Sequence, residues 1–193
     1  MDGVRNSAIA QHDVVTNEES SESCFSAVPM EEVESSKLMA ASPSNTFALY
    51  PQAFTIQCNG GMDQRSSLEL SVVLLFNSGL AYHLRGMTHR TGCERDFKEA
   101  LRCYKLGLTL VCQNGMEGSK SSILYLITLA LLNNAGHVFS HFGLSQQADM
   151  YRERMEDLLA NDTLFGIPEE HIEFFHSNVF FGKSCNIRVA PAA

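Results

Sequence analysis

From residue 66 onward the apolar positions recur at helical spacing. Leu68, Val72, Leu75, Gly79 and Tyr82 follow at steps of four, three, four and three, which lines one face of a helix. Ser66-x-x-Glu69 reads as a capping box that opens this helix, and Gly86 reads as its end. Asp96-x-x-Glu99 opens a second helix with Phe97, Ala100, Leu101, Tyr104, Leu108 and Val111 on its apolar face, broken at Asn114-Gly115. A third runs from about Ser121 to Phe142 and stops at Gly143, with Tyr125, Leu129, Leu132, Gly136 and Phe139 on one face. Ser145 caps a fourth, where Leu144, Ala148, Tyr151, Met155 and Leu158 line up against a charged face of Arg152, Glu153, Glu156 and Asp157. Pro168 with Glu169 and Glu170 starts a fifth, short helix through Phe181.

The pattern changes upstream of residue 66. Phe47 and Leu49 alternate with small residues, Pro51-Gln52 interrupts, and Phe54, Ile56 and Cys58 alternate again before Gly60-Gly61. That is the period of a strand, with Pro51 marking a turn or an edge. Residues 46–62 are therefore expected to be a short extended segment or a β-hairpin. Residues 1–45 mix nine serines with acids and few, unpatterned apolar positions, so burial cannot offset chain entropy and a disordered acidic tail is expected. The expected division is a tail over 1–45, the extended piece over 46–62, a helical domain over 63–183 and a frayed end over 184–193. The fold class is all-α.

Charge and cysteine usage narrow the function. The 193 residues carry 14 Lys+Arg and 22 Asp+Glu, a formal charge of −8. Residues 1–40 hold eight acids and two bases, so the body is close to neutral. Nucleic-acid binding needs clustered Lys and Arg, and there is no such cluster. The most apolar window, Ile123–Leu132, is half the length a bilayer span requires, which points to a core helix rather than a membrane partner. Six cysteines lie scattered with no CxxC pair, and residues 1–20 contain no apolar signal core. A reducing, intracellular and cytoplasmic location is the expectation.

An internal similarity links the first and third helices. Leu75-x-x-Ser78-Gly79-x-x-Tyr82 matches Leu132-x-x-Ala135-Gly136-x-x-Phe139, and each is followed by a helix with an inward alanine, Ala100 or Ala148. This resembles the tetratricopeptide pattern, in which the glycine admits the paired helix, the aromatic fills the gap beside it, and the alanine sits at the crossing point. Leu75 and Leu132 occupy the tryptophan slot. Tyr104 fills the aromatic slot after Ala100, whereas Arg152 stands there after Ala148, with Tyr151 one place early. The closing proline is missing, and Gly79 to Gly136 spans 57 residues where the period of the family is ~34. The resemblance is to a divergent tetratricopeptide-like helical-repeat protein of about two to two and a half repeats, with Asn178 as the remnant of a third. Two repeats fall below the usual minimum for a stable solenoid, so the extended segment and the last helix would have to cap the ends, unless self-association does.

Candidate chemistry is sparse. His137 and His141 are i,i+4, but no glutamate lies beside them and two further zinc ligands are missing, so they read as polar groove or surface residues. Cys103 and Cys112 sit in a helix interior with no cationic pocket. No phosphate loop, nucleophile elbow or H-E-x-x-H occurs, and no cofactor or enzymatic activity is expected. The resemblance implies a groove along the flank of the first helix of each repeat. The corresponding stripes are Phe76, Asn77, Leu80, His83 and Leu84, then Asn133, Asn134, His137, Ser140 and His141. They contain no Lys or Arg. Asparagine carries both donors and an acceptor, so it can grip the backbone of an extended peptide. The function expected is a non-catalytic adaptor that binds a peptide or protein in this groove. The alternatives are a homo-oligomer that uses the groove face as its own interface and, with less support, a metal-dependent hydrolase carried by His137 and His141.

Overall fold

A computed structural model describes residues 24–29, 47–57, 64–89, 93–114, 121–160 and 166–186. Two strands, β1 (Cys24–Pro29) and β2 (Gln52–Gln57), precede five helices: α1 (Gln64–Thr88), α2 (Cys93–Asn114), α3 (Ser122–His141), α4 (Ser145–Leu159) and α5 (Glu169–Asn186). The chain is predominantly helical, as the periodicity requires.

The helices pack in chain order. Gly86 meets Phe97 and Gly79 meets Tyr104, so α1 and α2 run antiparallel. Gly107 meets Leu131, and the Phe97 ring lies tilted against His141, so α3 runs back along α2. The Tyr125 hydroxyl donates to the Leu158 carbonyl and Phe139 stacks on Tyr151, which makes α4 antiparallel to α3. Glu69 and Ser121 hydrogen bond near one end of α1 and α3, and His83 and His137 near the other, so these two helices lie parallel and side by side.

α3 is the centre of the molecule. Every residue from Ile123 to Ser140 is buried, not the single face that its periodicity predicts. A helix covered on all sides must find partners for its polar residues, and Thr128, Asn133, Asn134, His137 and Ser140 are all inside. α3 is long and apolar enough to cross a membrane, the single such helix among the described residues, and 94% of its most apolar window is buried within the fold. Ser121 caps its start by accepting the Leu124 N–H. Gly143, at φ +71°, turns the chain into α4.

Several helix ends differ from the sequence reading. α1 begins at Gln64, which puts Ser66 inside the first turn rather than at a cap. Glu69 instead accepts a hydrogen bond from the Ser121 hydroxyl at 2.7 Å. α1 continues past Gly86 to Thr88, because the bare Gly86 lets the Phe97 ring approach. α2 opens at Cys93, and Asp96 pairs with Arg85 across the α1–α2 turn, where it does not cap. α4 starts at Ser145 itself, after Leu144. α5 extends through Asn186, into the stretch expected to fray; residues 187–193 lie outside the described ones.

The N-terminal expectations need a larger correction. Residues 24–29, inside the expected disordered tail, form β1, antiparallel to β2 from Cys24↔Gln57 to Pro29↔Gln52. β2 presents a strand edge beyond the helices, and β1 supplies its hydrogen-bonding partner. The described part of the expected extended piece, residues 47–57, is extended, and β2 takes its strand partner from upstream; residues 46 and 58–62 lie outside the described residues. The remainder of the expected tail lies outside the described residues.

Candidate functional site

The extended residues 47–57 lie across α5, α3 and α1. Phe47, Leu49, Tyr50 and Phe54 are all buried, Tyr50 at 1% exposure and Phe54 at 2%. The segment is held by its backbone. Asn178 accepts the Ala48 N–H at 2.9 Å and donates to the Ala48 carbonyl at 3.1 Å. Asn133 donates to the same carbonyl at 2.9 Å. Asn134 accepts the Tyr50 N–H at 2.9 Å and returns a bond to its carbonyl at 3.0 Å. Asn77 does the same to Phe54, at 3.0 and 2.8 Å. A primary amide is the side chain that matches a peptide group in both directions. Pro51, between two clamped residues, has no N–H to satisfy.

The clamps are tied to one another. Asn178 donates to Asn133 at 2.7 Å, and Asn133 donates to Asn134 at 3.1 Å. The three form a buried chain of amides in which each member is oriented by the next.

Three aromatic positions anchor the segment. The Phe47 ring rests on Gly136, where an added Cβ would stand 2.6 Å from the ring, and the Arg152 guanidinium covers its other side at 4.6 Å. Tyr50 stacks on Phe175 and meets Phe76 and Phe174 edge-on, while its hydroxyl bonds His171 Nδ1 at 3.0 Å. Phe54 meets Phe76 edge-on at 5.1 Å. Burial and the nearby Glu170 raise the Tyr50 hydroxyl pKa, so it stays a phenol.

Below the segment lies a second polar cluster. His83 Nε2 and His137 Nδ1 are 2.9 Å apart, and His83 Nδ1 is 3.1 Å from the Tyr104 hydroxyl. That hydroxyl also bonds the Asn134 side chain. Asn134 Oδ1 already accepts from Tyr50 and Asn133, so its Nδ2 is the group left to donate to Tyr104. The tautomer that gives the Tyr104 proton an acceptor has Tyr104 donate to His83 Nδ1, which leaves His83 donating from Nε2 to His137 Nδ1. This direction requires both rings to be neutral. Burial, followed by the neighbouring histidine charges, lowers the His83 pKa well below its usual value, and burial with His141 lowers His137 to about 3.

The residues expected to line a groove thus divide into layers. Asn77, Asn133 and Asn134 touch the segment. Leu80, His83 and His137 are buried among the helices, and His141 is exposed at the end of α3, tilted against Phe97. On α1 the buried face is Val72, Val73, Phe76, Leu80, His83 and Leu84, while Leu75 and Tyr82 of the expected packing face are half-buried. The expected packing residues Ala100, Tyr104, Leu132, Phe139 and Ala148 are buried. Gly79 admits Tyr104 from the paired helix, as its motif implies, but Gly136 admits Phe47 from the extended segment, which is a correction. Asn178 was legible as an isolated carboxamide in an apolar helix. Arg152, Phe175 and His171 were missed as groove contacts, because no local spacing signals a ring arriving from 105 to 125 residues away in sequence. Among the described residues no group of three or more His, Cys, Asp or Glu is placed to hold a metal ion.

Comparison with known proteins finds no matching family model, no matching curated protein and no matching solved structure.

Proposed function

We propose that the chain is a non-catalytic protein–protein interaction module, an adaptor of divergent tetratricopeptide-like repeats that grips the backbone of an extended protein segment. One observation carries this reading. Asn77 and Asn134 stand 57 residues apart, the same offset as Gly79 and Gly136, and each holds both the N–H and the carbonyl of one residue in an extended segment. Equivalent positions in two similar helices doing the same job is the behaviour of a repeat. Asn178 on α5 adds a third clamp of the same kind. Neutral amides and aromatic rings favour a protein segment over a phosphate-bearing partner.

The homo-oligomer alternative uses the same face, so a second copy would have to displace residues 47–54 just as a partner would, and the repeated clamps give no reason to prefer it. The hydrolase alternative needs His137 and His141 as ligands, whereas His137 Nδ1 is engaged by His83 and His141 lies against Phe97.

The test is affinity capture with the full chain, followed by cross-linking to locate the partner. The expected result is cross-links to α1 and α3 that are lost in an Asn77→Ala, Asn134→Ala variant whose helical content is unchanged. Capture indifferent to both substitutions rejects the groove.

A further inference from the structure

Resting on that reading, we infer that residues 47–54 are a built-in ligand that a partner displaces, and that the partner presents an extended, uncharged segment with the same aromatic pattern. The clamps and ring seats of α1, α3 and α5 form a peptide-binding site already filled by its own chain. Every polar contact that the asparagines make with the segment goes to main-chain atoms of Ala48, Tyr50 and Phe54. Main-chain groups are common to all proteins, so these bonds give affinity without tying the groove to residues 47–54.

Selection comes from the side-chain seats. An aromatic ring is needed on the bare Gly136 under Arg152, a hydroxylated ring fits between Phe175 and His171, and a third ring fits against Phe76. The residue after the first ring is Ala48, clamped on both main-chain atoms by Asn178. The pattern is aromatic–small–x–tyrosine–proline–x–x–aromatic. Residues 46–57 contain no charged side chain, and the clamps are neutral, so a charged competitor would lose its hydration without compensation.

Connectivity makes displacement plausible in physical terms. The segment precedes the helical unit and joins it through residues 58–63 alone. A covalently linked ligand acts at an effective concentration of about millimolar, so it masks the groove against weak competitors and yields to strong or multivalent ones. Weakening its anchor raises the fraction of open groove, and apparent affinity in trans rises by the same factor.

The experiment uses the full chain and a fluorescent peptide of residues 46–57 as probe. The amides of Ala48, Tyr50 and Phe54 are followed by hydrogen exchange, because each is bonded by an asparagine. They are expected to exchange roughly a hundredfold faster than the α3 core amides, through opening of the segment alone. The probe is expected to bind roughly tenfold tighter to Phe47→Ala than to the unsubstituted chain. It should fail to bind a Phe47→Ala, Asn134→Ala chain. Exchange of the three amides at the rate of the α3 core overturns the proposal, since the segment is then an inseparable part of the core. So does a Phe47→Ala chain that unfolds, or one that stays folded and ignores the probe. A probe-sensitive dimer in sedimentation makes the occupant a second copy and overturns the assignment to a partner. A captured protein cross-linked to α1 and α3 that the probe fails to displace leaves the adaptor reading standing and removes only the ligand pattern.

Discussion

Acidification should unfold this protein well above the carboxylate range, and the buried histidine pair sets the size of the effect. The folded pKa of His137 is about 3, against about 6.5 in the unfolded chain. The unfolded state therefore takes up a proton first. Stability is complete above pH 6.5 and falls as pH drops towards 3, with the folded chain refusing the proton throughout. At pH 5 the unfolded chain is favoured by 1.5 units of protonation at this site, about 2 kcal/mol. His83 is lowered for the same reason and adds in the same direction, as do His141 and His171, both lowered first by desolvation. The carboxylates of Glu94 and Asp96, lowered by hydrogen bonds from Lys98 and Arg85, act only below their own usual range and leave the pH 5–7.5 window to histidine. The assay is urea unfolding by circular dichroism at pH 7.5, 6.5, 5.5 and 5.0. His137 alone should lower the midpoint by about 1 M, given a slope of about 2 kcal/mol/M. A His137→Gln chain should lose that share of the pH dependence. A midpoint that stays level from pH 7.5 to 5.0, or one that rises, refutes the neutral buried pair.

Asn134→Ala strands the buried N–H and carbonyl of Tyr50 and should cost about 2–5 kcal/mol in urea unfolding, whereas Asn178→Ala should cost less because Asn133 still holds the Ala48 carbonyl. Equal losses would contradict the shared clamp. Gly79→Ala drives a Cβ to 2.6 Å from the Tyr104 ring, which is buried and hydrogen bonded, and should destabilise the whole chain by about 1–3 kcal/mol. Gly136→Ala meets the Phe47 ring at the same distance, and should instead open cleavage by chymotrypsin at Phe47 and Phe54. Unchanged cleavage there would show that Phe47 does not depend on that glycine. Tyr50→Phe removes one buried bond to His171 and should cost about 1 kcal/mol, read from the same urea midpoint.

The helices were legible because each carries a repeating apolar face, and their ends shifted where tertiary contacts took over the capping groups. Glu69 is the clearest case, since its carboxylate satisfies Ser121 of α3 rather than the first turn of α1. The asparagine clamps were legible too. Asn77, Asn133 and Asn134 sit beside a glycine on helices that otherwise bury apolar side chains, and a buried amide needs partners. The residues they hold were read as extended, from the alternation of Phe47, Leu49, Phe54 and Ile56, but their destination was not. A strand period says which side chains share a face, not what that face packs against. The histidines went deeper than expected for the same reason. The flank of α1 and α3 reads as an open groove only while residues 47–57 are left out of it.

A tetratricopeptide-like solenoid usually needs three repeats, and on the proposed reading this chain has two helix pairs. Here α5 supplies one more clamp, and residues 47–54 supply three aromatic rings that fill the face a further repeat would cover. The same contacts then serve two ends. They complete a core, and, on the proposed function, their backbone bonds and ring seats would mark out what another extended chain has to offer to take their place. The two roles pull against each other, because a segment that contributes more to the core is harder to displace. The buried amide chain from Asn178 to Asn134, continued through Tyr104 to the neutral histidines, joins them physically. A proton forced onto His83 or His137 places a charge inside the buried network that also holds Asn134, and burying a charge costs the fold directly. Acid stability and occupancy of the groove should therefore fall together, with the Tyr50 amide losing protection at the pH where the helices begin to loosen.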